Sequence, residues 1–487
     1  MRRIVLALAC VTLAIACGPS SVRAQAPPPP PEFVSSGNVE YDAWRNDFAA
    51  RAVARGRDPA VLARLLSGTR PDERIIELDQ RQPEFVSPVW DYVTNRLSER
   101  RISSGRTMQA ALGPTLNAVE ARYGVDSEIV LGIWGLESNF GEAPLNFDAA
   151  AALATLAYEG RRRAQFETYL LALTEMVERG LADRSQLNSS WAGALGQPQF
   201  MPDVYLTTAV DWDGDGHRDI WTNSADVAAS IANYLADRGW RRGEPVFDEV
   251  RLPANFDYTL ASNEARSVAD WNARGVRLVD GSAWPGAQQN LSAQLFLPAG
   301  AQGPALLLYH NFAVIRRYNN SDRYALVVAL LARAYEGRNG LQTAWPRQLG
   351  ALNREQILEL QTLLNGLGHD SGSPDGLFGS NTRRAVRAFQ AEQGLIADGF
   401  PTSALLDQVR VRAGVAPPEP PRPLDSGGVR ELQRLLNDLG HDAGPADGRI
   451  GSRTRSAIRA FERAQGMNVN GRATTTVLEA ARAASAG

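Results

Sequence analysis

One glutamate, Glu137, is the best candidate in this sequence for acid–base chemistry. A carboxylic acid that protonates a leaving oxygen near neutral pH needs apolar surroundings, because these penalise its charged form. The stretch LGIWGLESNFG at residues 131–141 supplies four large apolar neighbours, Ile133, Trp134, Leu136 and Phe140. The alternative is an ordinary buried helix whose glutamate is paired with a cation or reaches solvent.

Other kinds of catalytic group are scarce. The histidines are His217, His310, His369 and His441, and the two cysteines, Cys10 and Cys17, lie close to the N-terminus. A Ser-His-Asp triad or a multi-histidine zinc site in the main domain could use only His217 and His310, and no G-x-S-x-G motif occurs. Carboxylate chemistry therefore remains. The net charge of -3 argues against a general nucleic-acid binder.

The acidic stretch DWDGDGHRDIW, residues 211–221, has the D-x-D-x-D-G opening of a calcium loop. Asp219 falls at the ninth position. Thr222 occupies the twelfth, where an EF-hand carries a bidentate glutamate, so the last ligand must come from elsewhere, such as Asp226. A solvated acidic turn is the alternative. A calcium ion here would be structural, since calcium activates water poorly compared with zinc.

Several elements must position these residues. Asp126 or Ser127 can cap a helix that runs to a stop near Gly141 and carries Glu137 in its last turn. Gly132 and Gly135 cost about 1 kcal/mol each in a helix interior, which indicates close approach of a neighbouring helix or a ligand.

The patterns around this helix are mostly helical. Further helices are predicted from about Asn38, over 106–122, over 151–182 as one or two, and over 311–335 as a strong helix. A loop leading into a helix is predicted over 190–205, and a small sheet over 244–310.

The N-terminus reads as a secretory leader. Arg2 and Arg3 precede an apolar run that is too short to span a membrane stably. Two ways of processing the leader remain open: cleavage after Ala24, or lipoprotein-type cleavage before Cys17. In either case the mature protein has no disulfide.

The tail contains an internal repeat with a period of 72 residues. Residues 360–395 match residues 432–467 without a gap, and the pattern predicts two three-helix modules joined by the proline-rich linker APPEPPRPL. Two tethered copies favour avidity for a polymer. The alternative is a pair of packing domains with no ligand.

Together these motifs resemble the membrane-bound lytic murein transglycosylases of the B type over residues 40–345. The resemblance rests on four segments, GIWGLESNFG, AGALGQPQFMP with Tyr205, AVDWDGDGHRDIW followed by ANYL, and NFAVIRRYNNS. The tail copies resemble peptidoglycan-binding modules through D-G-x-x-G at 375–379 and 447–451, with AFQ and AFE downstream.

The resemblance implies a role for each matching residue. Glu137 would be the catalytic acid and base. The sugar cleft would be lined by Ser190, Gln199, Tyr318 and Asn319. A structural Ca²⁺ would be bound by Asp211, Asp213, Asp215, His217 through its carbonyl, and Asp226.

This sequence departs from the family pattern at a few positions. The spacing before Asp226 is about one residue longer, and Pro198 and Asp203 replace small or hydroxyl residues. In the second tail copy Ile450 replaces Phe378 and Glu462 replaces Gln390, which predicts weaker binding or none by that copy.

The implied reaction uses one carboxylate. Glu137 would protonate the oxygen between N-acetylmuramic acid and N-acetylglucosamine, then deprotonate the C6 hydroxyl that closes a 1,6-anhydro ring. The first rival is a hydrolytic muramidase that adds Glu142 or Asp148 as a second carboxylate. The second is a non-catalytic wall-binding protein.

The predicted fold is mainly α, an α+β lysozyme-like catalytic domain with an EF-hand-like calcium loop and a small β-region, plus two three-helix modules. The expected layout is a signal peptide at 1–24, a proline-rich tether at 25–37, a catalytic domain at 38–345, modules at 353–412 and 425–484, and a linker at 413–424. We expect a periplasmic protein that binds peptidoglycan glycan strands, without a catalytic cofactor and with a possible lipid anchor at Cys17 to the outer membrane.

Overall fold

Helices dominate the part of the chain that the structure, a computed structural model, describes. It describes residues 28–80, 88–261, 264–416, 421–465, 467 and 469–486. The predicted leader with Cys10 and Cys17, and residues 417–420 of the predicted linker, lie outside these ranges. Among the described residues, no helix has both the length and the apolar character needed to cross a membrane.

Thirteen helices form in the main region, within the ranges just given. They are α1 Val39–Ala54, α2 Pro59–Leu66, α3 Glu73–Gln80, α4 Val89–Arg96, α5 Glu99–Tyr123, α6 Ser127–Ser138, α7 Ala149–Glu159, α8 Arg163–Glu178, α9 Pro202–Thr208, α10 Ser224–Asp237, α11 Val268–Ala273, α12 His310–Tyr318 and α13 Asp322–Tyr335. Helix α6 packs against α5, α10 and α13, so the predicted catalytic helix lies in the centre of the bundle.

The predicted strong helix over 311–335 is two helices. Asn319 leaves the helical conformation at the end of α12, and the side chain of Ser321 caps α13 by accepting a hydrogen bond from the Tyr324 backbone N–H. A serine that bonds a nearby backbone N–H favours a new helix start over continuation of the old one. The expectation of one helix was wrong for this reason.

The predicted small sheet is present and antiparallel. Two short strands, β1 Phe147–Asp148 and β2 Asn188–Ser189, pair beside the helices, and five more form a sheet of order β4-β6-β7-β3-β5. These are β3 Phe247–Arg251, β4 Ala265–Ser267, β5 Arg277–Leu278, β6 Ser292–Phe296 and β7 Ala305–Leu308. On β7, Leu306 and Leu308 join the helical core while Leu307 joins a second core around Trp271. Burial on both faces explains an apolar run without alternation.

The tail forms two three-helix modules, as the repeat predicts. The first contains α14 Arg354–Gly366, α15 Ser380–Glu392 and α16 Ser403–Arg412, and the second contains α17 Ser426–Asp438, α18 Ser452–Ala464 and α19 Thr475–Ala486. Each has its own apolar core, centred on Phe389 and Phe461 respectively.

The D-G-x-x-G loops of the two modules are held by the same internal contact. The Gln361 amide donates to Asp375 Oδ1 at 2.9 Å, and the Gln433 amide donates to Asp447 Oδ1 at 3.2 Å. The motif aspartate therefore has a structural role in both copies.

Candidate active site

Glu137 lies in the last turn of α6, as the sequence predicts. Asp126 is the N-cap residue, and the helix ends at Ser138, a few residues before the expected stop at Gly141. Asn139 and Phe140 then adopt positive φ angles of 49° and 60°. Asparagine tolerates this conformation at a helix end, so the cost of about 1–2 kcal/mol falls mainly on Phe140. This turn carries the Phe140 ring to 5.5 Å from the ring of Trp134.

Gly132 and Gly135 allow close packing around this helix, as expected. A methyl group at Gly132 would lie 2.8 Å from the Val328 carbonyl oxygen of α13. A methyl group at Gly135 would lie 2.9 Å from the Phe140 ring and 3.1 Å from the Tyr335 hydroxyl. The two glycines thus let α13 and the turn after α6 close on the helix that carries Glu137.

The half-buried carboxylate of Glu137 accepts a short hydrogen bond. The Tyr324 hydroxyl donates to Glu137 Oε1 at 2.5 Å. Burial, and then the negative charge of Glu137, raise the pKa of Tyr324 well above its usual value. Tyr324 therefore stays protonated and remains a donor at neutral pH. Nothing in the sequence pattern marks Tyr324 as this donor.

A cluster of aromatic rings extends from this hydrogen bond. The Tyr318 ring stacks on Tyr324 with centroids 6.5 Å apart and lies 4.6 Å from the ring of Tyr234 and 6.0 Å from that of Phe200. The Tyr318 hydroxyl donates to the Pro198 carbonyl at 2.6 Å. Burial, followed by the charge of Glu137, also raises the pKa of Tyr318.

The other predicted cleft residues occupy two segments that meet at Tyr318. Asn319 follows Tyr318 directly and is half-buried. Gln199 follows Pro198, has a φ of 54°, and its amide donates to the Gly196 carbonyl at 2.8 Å. Ser190 begins the same loop and accepts a hydrogen bond from the Ala194 N–H at 3.2 Å.

Gln197 ties this loop to the catalytic helix and was also missed from sequence. Its Oε1 accepts a hydrogen bond from the Trp134 indole at 2.8 Å, and its Nε2 donates to the Trp221 carbonyl at 2.7 Å. One amide thus joins α6, the 190–200 loop and the end of the acidic loop.

The two carboxylates proposed as partners for Glu137 are engaged in other contacts. Glu142 accepts hydrogen bonds from Arg100 at 2.8 Å and from the Asn139 amide at 2.5 Å. Asp148 caps α7 through a 2.7 Å hydrogen bond from the Ala151 N–H and also contacts Arg184. Neither is poised as a free base beside Glu137.

Three of the predicted metal ligands come together. Carboxylate oxygens of Asp211, Asp213 and Asp226 lie within 4.8 Å of one another. Asp226 is fully buried and accepts N–H bonds from Trp212 and Asp219, each at 2.8 Å. Its pKa is raised by burial and then by the neighbouring aspartates. An oxygen-only set of this kind suits calcium.

The side chains of Asp215 and His217 do not join that cluster. Both are exposed, and Asp215 Oδ1 accepts the His217 N–H at 2.8 Å. Metal ligation by the carbonyl oxygen of His217 therefore stays a prediction.

Two known protein families match different parts of this chain. The model of the transglycosylase SLT domain matches residues 40–333, which is more than half of the chain. The chain belongs to the SLT transglycosylase family. The model of a putative peptidoglycan-binding domain matches residues 353–409 and 425–481.

Relatives of the family support this assignment. The chain is 29% identical over 296 residues to membrane-bound lytic murein transglycosylase B of Escherichia coli, covering 57% of this chain and 78% of the relative. SltB3 of Pseudomonas aeruginosa, solved with NAG-anhNAM-pentapeptide, is 45% identical, with a TM-score of 0.74 over 77% of this chain and 100% of that one. Slt35 of E. coli, solved with calcium, is 28% identical, with a TM-score of 0.52 over 61% and 93% of the two chains.

Proposed function

We propose that this protein is a lytic transglycosylase that cleaves the β-1,4 bond between N-acetylmuramic acid and N-acetylglucosamine in peptidoglycan and leaves 1,6-anhydro ends. The observation that carries the proposal is the half-buried carboxylate of Glu137, which accepts a hydrogen bond from Tyr324, while the two candidate second carboxylates, Glu142 and Asp148, are engaged in other contacts. Most hydrolytic glycosidases use two carboxylates about 5–9.5 Å apart. A reaction that needs no water fits one carboxylate better.

The proposed reaction uses Glu137 twice. As an acid it protonates the glycosidic oxygen while the muramoyl N-acetyl group stabilises the positive charge that develops at C1. As a base it then takes the proton of the C6 hydroxyl of the same sugar, whose oxygen attacks C1 and closes the anhydro ring. The nucleophile is intramolecular, so much of the entropy cost of bringing it to C1 is already met. Ser190, Gln199, Tyr318 and Asn319 are the proposed cleft residues.

Product analysis tests this function directly. Mass spectrometry of digested glycan should show fragments one water lighter than those with reducing ends. Glu137→Gln should lower turnover by about 10²- to 10⁴-fold and leave sacculus binding and the melting temperature unchanged. Glu142→Gln is the matched control and should retain turnover.

Each rival has its own signature in these experiments. Predominant reducing ends, with activity lost in Glu142→Gln or Asp148→Asn, would establish the muramidase. Turnover that is absent from the wild-type protein while it still binds sacculi would establish the non-catalytic protein.

We also propose a structural calcium ion held by Asp211, Asp213 and Asp226, with Asp215 and the His217 carbonyl as further candidates. Calcium at 100 times its Kd should stabilise the folded protein by about 2.7 kcal/mol, seen as a raised melting temperature that a chelator reverses. Asp213→Asn should weaken this response, because it removes one carboxylate charge from the cluster at an exposed position. A wild-type melting temperature that calcium and chelator leave unchanged would contradict the proposal.

The proposed organisation is a catalytic domain at 38–345 with binding modules at 353–412 and 425–484. The leader predicted at residues 1–24 would direct export to the periplasm. Incorporation of labelled fatty acid would distinguish lipid attachment at Cys17 from cleavage after Ala24.

A further inference from the structure

The two tail modules carry the same arginine face in different surroundings. We define this face by two helix positions and the turn beside them: Arg383 and Arg387 next to Gly399 in the first module, and Arg455 and Arg459 next to Gly471 in the second. Both glycines have left-handed φ angles, 72° and 70°. A methyl group at either glycine would contact this arginine pair. The two faces are therefore equivalent in three dimensions as well as in sequence.

In the first module the arginine face is a joint to the catalytic region. Arg383 donates to the Leu297 carbonyl at 3.1 Å, and Arg387 donates to the Ala261 carbonyl at 2.6 Å. Burial lowers the pKa of Arg383 to about 10. These cations are used for contacts within the chain and have little surface left for a polymer.

The rest of the joint is specific to the first module. Asp398 accepts a hydrogen bond from the Ala301 N–H at 2.8 Å, and the Phe400 ring lies 6.3 Å from that of Trp90. The second module has Asn470 and Arg472 at these positions. It therefore lacks both the carboxylate and the aromatic ring that dock the first copy, and the Asn470 amide oxygen accepts from the Arg472 N–H of its own module instead.

In the second module the same face is open. Arg455 and Arg472 are exposed and Arg459 is half-exposed. Among the described residues, none of the three has a carboxylate within ion-pair distance. By contrast, Arg453 and Arg482 of this module pair with Asp442 and Glu431. The open face thus presents three guanidinium groups that form no ion pair within the described part of the chain, and Arg459 donates a 3.4 Å hydrogen bond to Ser456 Oγ.

The replacement of Gln390 by Glu462 has a structural explanation. In the first module the Gln390 amide donates to Asp398 Oδ1 at 2.8 Å. In the second, Glu462 cannot donate in its charged form, and Asn470 stands where Asp398 stood. Glu462 Oε2 accepts the Asn470 and Gly471 N–H groups at 2.8 and 2.9 Å. Glu462 Oε1 is left buried without a hydrogen-bond partner among the described residues. The exchange lies inside the module, away from its surface, and so does not argue against binding.

We propose that the two copies have divided their roles: the first is fixed to the catalytic region through its arginine face, and the second binds carboxylate groups of the peptide-bearing cell wall through Arg455, Arg459 and Arg472. Guanidinium groups match carboxylates in charge and geometry. The proposal rests on the proposed function, since it takes the peptides of peptidoglycan as the source of those carboxylates. It reverses the expectation that the second copy binds more weakly.

The test measures sacculus binding by the full-length chain. The variant Arg455→Gln/Arg472→Gln should weaken binding to purified sacculi by about fivefold or more. Its affinity should also fall less steeply with rising salt concentration than the affinity of the wild type does. The control Arg453→Gln/Arg482→Gln removes the same charge from the same module and should bind as the wild type does. The control should also turn over short soluble glycan fragments at the wild-type rate.

Other outcomes would overturn the proposal. Equal binding by the two variants would show that the arginine face does not take part in binding. If the wild-type protein bound sacculi and peptide-free glycan strands equally well, the peptide carboxylates would not be what it recognises. Binding to vesicles of anionic phospholipid but not to sacculi would make the partner a membrane. Loss of the transglycosylase function would appear separately, as absent anhydro products with sacculus binding intact.

Discussion

A tyrosine that keeps its proton faces the carboxylate of Glu137. Because burial and the charge of Glu137 raise the pKa of Tyr324, this hydroxyl cannot compete as a base and acts only as a donor. The hydrogen bond, 2.5 Å long, fixes one carboxylate oxygen. A fixed carboxylate suits a group that must act first as an acid and then as a base.

Removing this donor tests its role. Tyr324→Phe should lower the maximal rate by about tenfold or more, because a hydrogen bond to a charged group is worth about 1.5–3 kcal/mol. The loss of a donor to the charged form should also move the alkaline limb of the pH–rate profile to higher pH. Turnover of glycan between pH 4 and 9 measures both effects.

Tyr335→Phe is the matched control. Tyr335 lies on the same helix, α13, and its buried hydroxyl has no hydrogen-bond partner among the described residues. Its removal should leave the rate and the pH profile unchanged. Identical behaviour of the two variants would rule out a positioning role for Tyr324.

At the residue scale, the sequence allowed Glu137 to be predicted but not its partners. Glu137 stands in a local apolar pattern, which sequence displays directly. Tyr324 lies 187 residues away and begins a new helix after a break, so no periodicity links the two. Gln197 resembles any loop glutamine until its contacts with Trp134 and Trp221 are seen.

Helices α6 and α13 pack closely where Gly132 faces Val328. Gly132 lets the backbone of α13 approach at Val328. This contact sets the distance between Glu137 on one helix and Tyr324 on the other. Function thus depends on a glycine that takes no part in chemistry.

Gly132→Ala should therefore disturb both stability and rate. The added methyl group meets a backbone oxygen that cannot rotate away, and overpacking of this kind costs about 1–3 kcal/mol. The free energy of unfolding in urea should fall by that amount, and turnover should fall with it.

Gly113→Ala should change the free energy of unfolding in the opposite direction. Gly113 lies inside α5 with nothing within 4 Å of an added methyl group, so alanine should stabilise the helix by about 0.5–1 kcal/mol. If both variants shifted the free energy of unfolding in the same direction, the close contact at Gly132 would not be the cause.

At the element scale, sequence patterns predicted the kinds of element well and their breaks poorly. The sheet, the loop before α9 and the three-helix modules were all expected. The break between α12 and α13 was not, although the polar run NNSDR at 319–323 interrupts the apolar pattern and contains the serine cap. Local capping outweighed the longer pattern there.

Across the whole molecule, the first tail module behaves as part of the catalytic region. Phe400 joins the main hydrophobic core rather than a core of its own module. The catalytic region and first module should therefore unfold together, while the second module, with its separate core, should unfold independently.

Equivalent arginines in the two modules test this organisation. Arg387→Ala should lower the calorimetric midpoint of the larger transition by about 3 °C or more, because it leaves the Ala261 carbonyl without its charged donor. Arg459→Ala changes the corresponding residue of the second module and should leave that transition unchanged. Equal effects of the two variants on the larger transition would contradict a fixed joint.

The joint could not have been predicted from the sequence. The repeat shows that two modules exist, and the proline-rich linker separates them, but nothing in the period distinguishes a docked copy from a free one. The distinction rests on single residues such as Phe400 against Arg472. Their meaning depends on a surface supplied by residues about 100–300 positions earlier in the chain.

The amide of Gln197 has a consequence for how this protein can evolve. Its end group accepts from the Trp134 indole and donates to the Trp221 carbonyl at once. Glutamate would lose the donor, methionine would lose both groups, and asparagine is one methylene too short. Position 197 should accordingly tolerate almost no substitution in homologues that keep Trp134. Substitutions at position 221 should leave this hydrogen bond intact, because residue 221 contributes only its main-chain carbonyl oxygen.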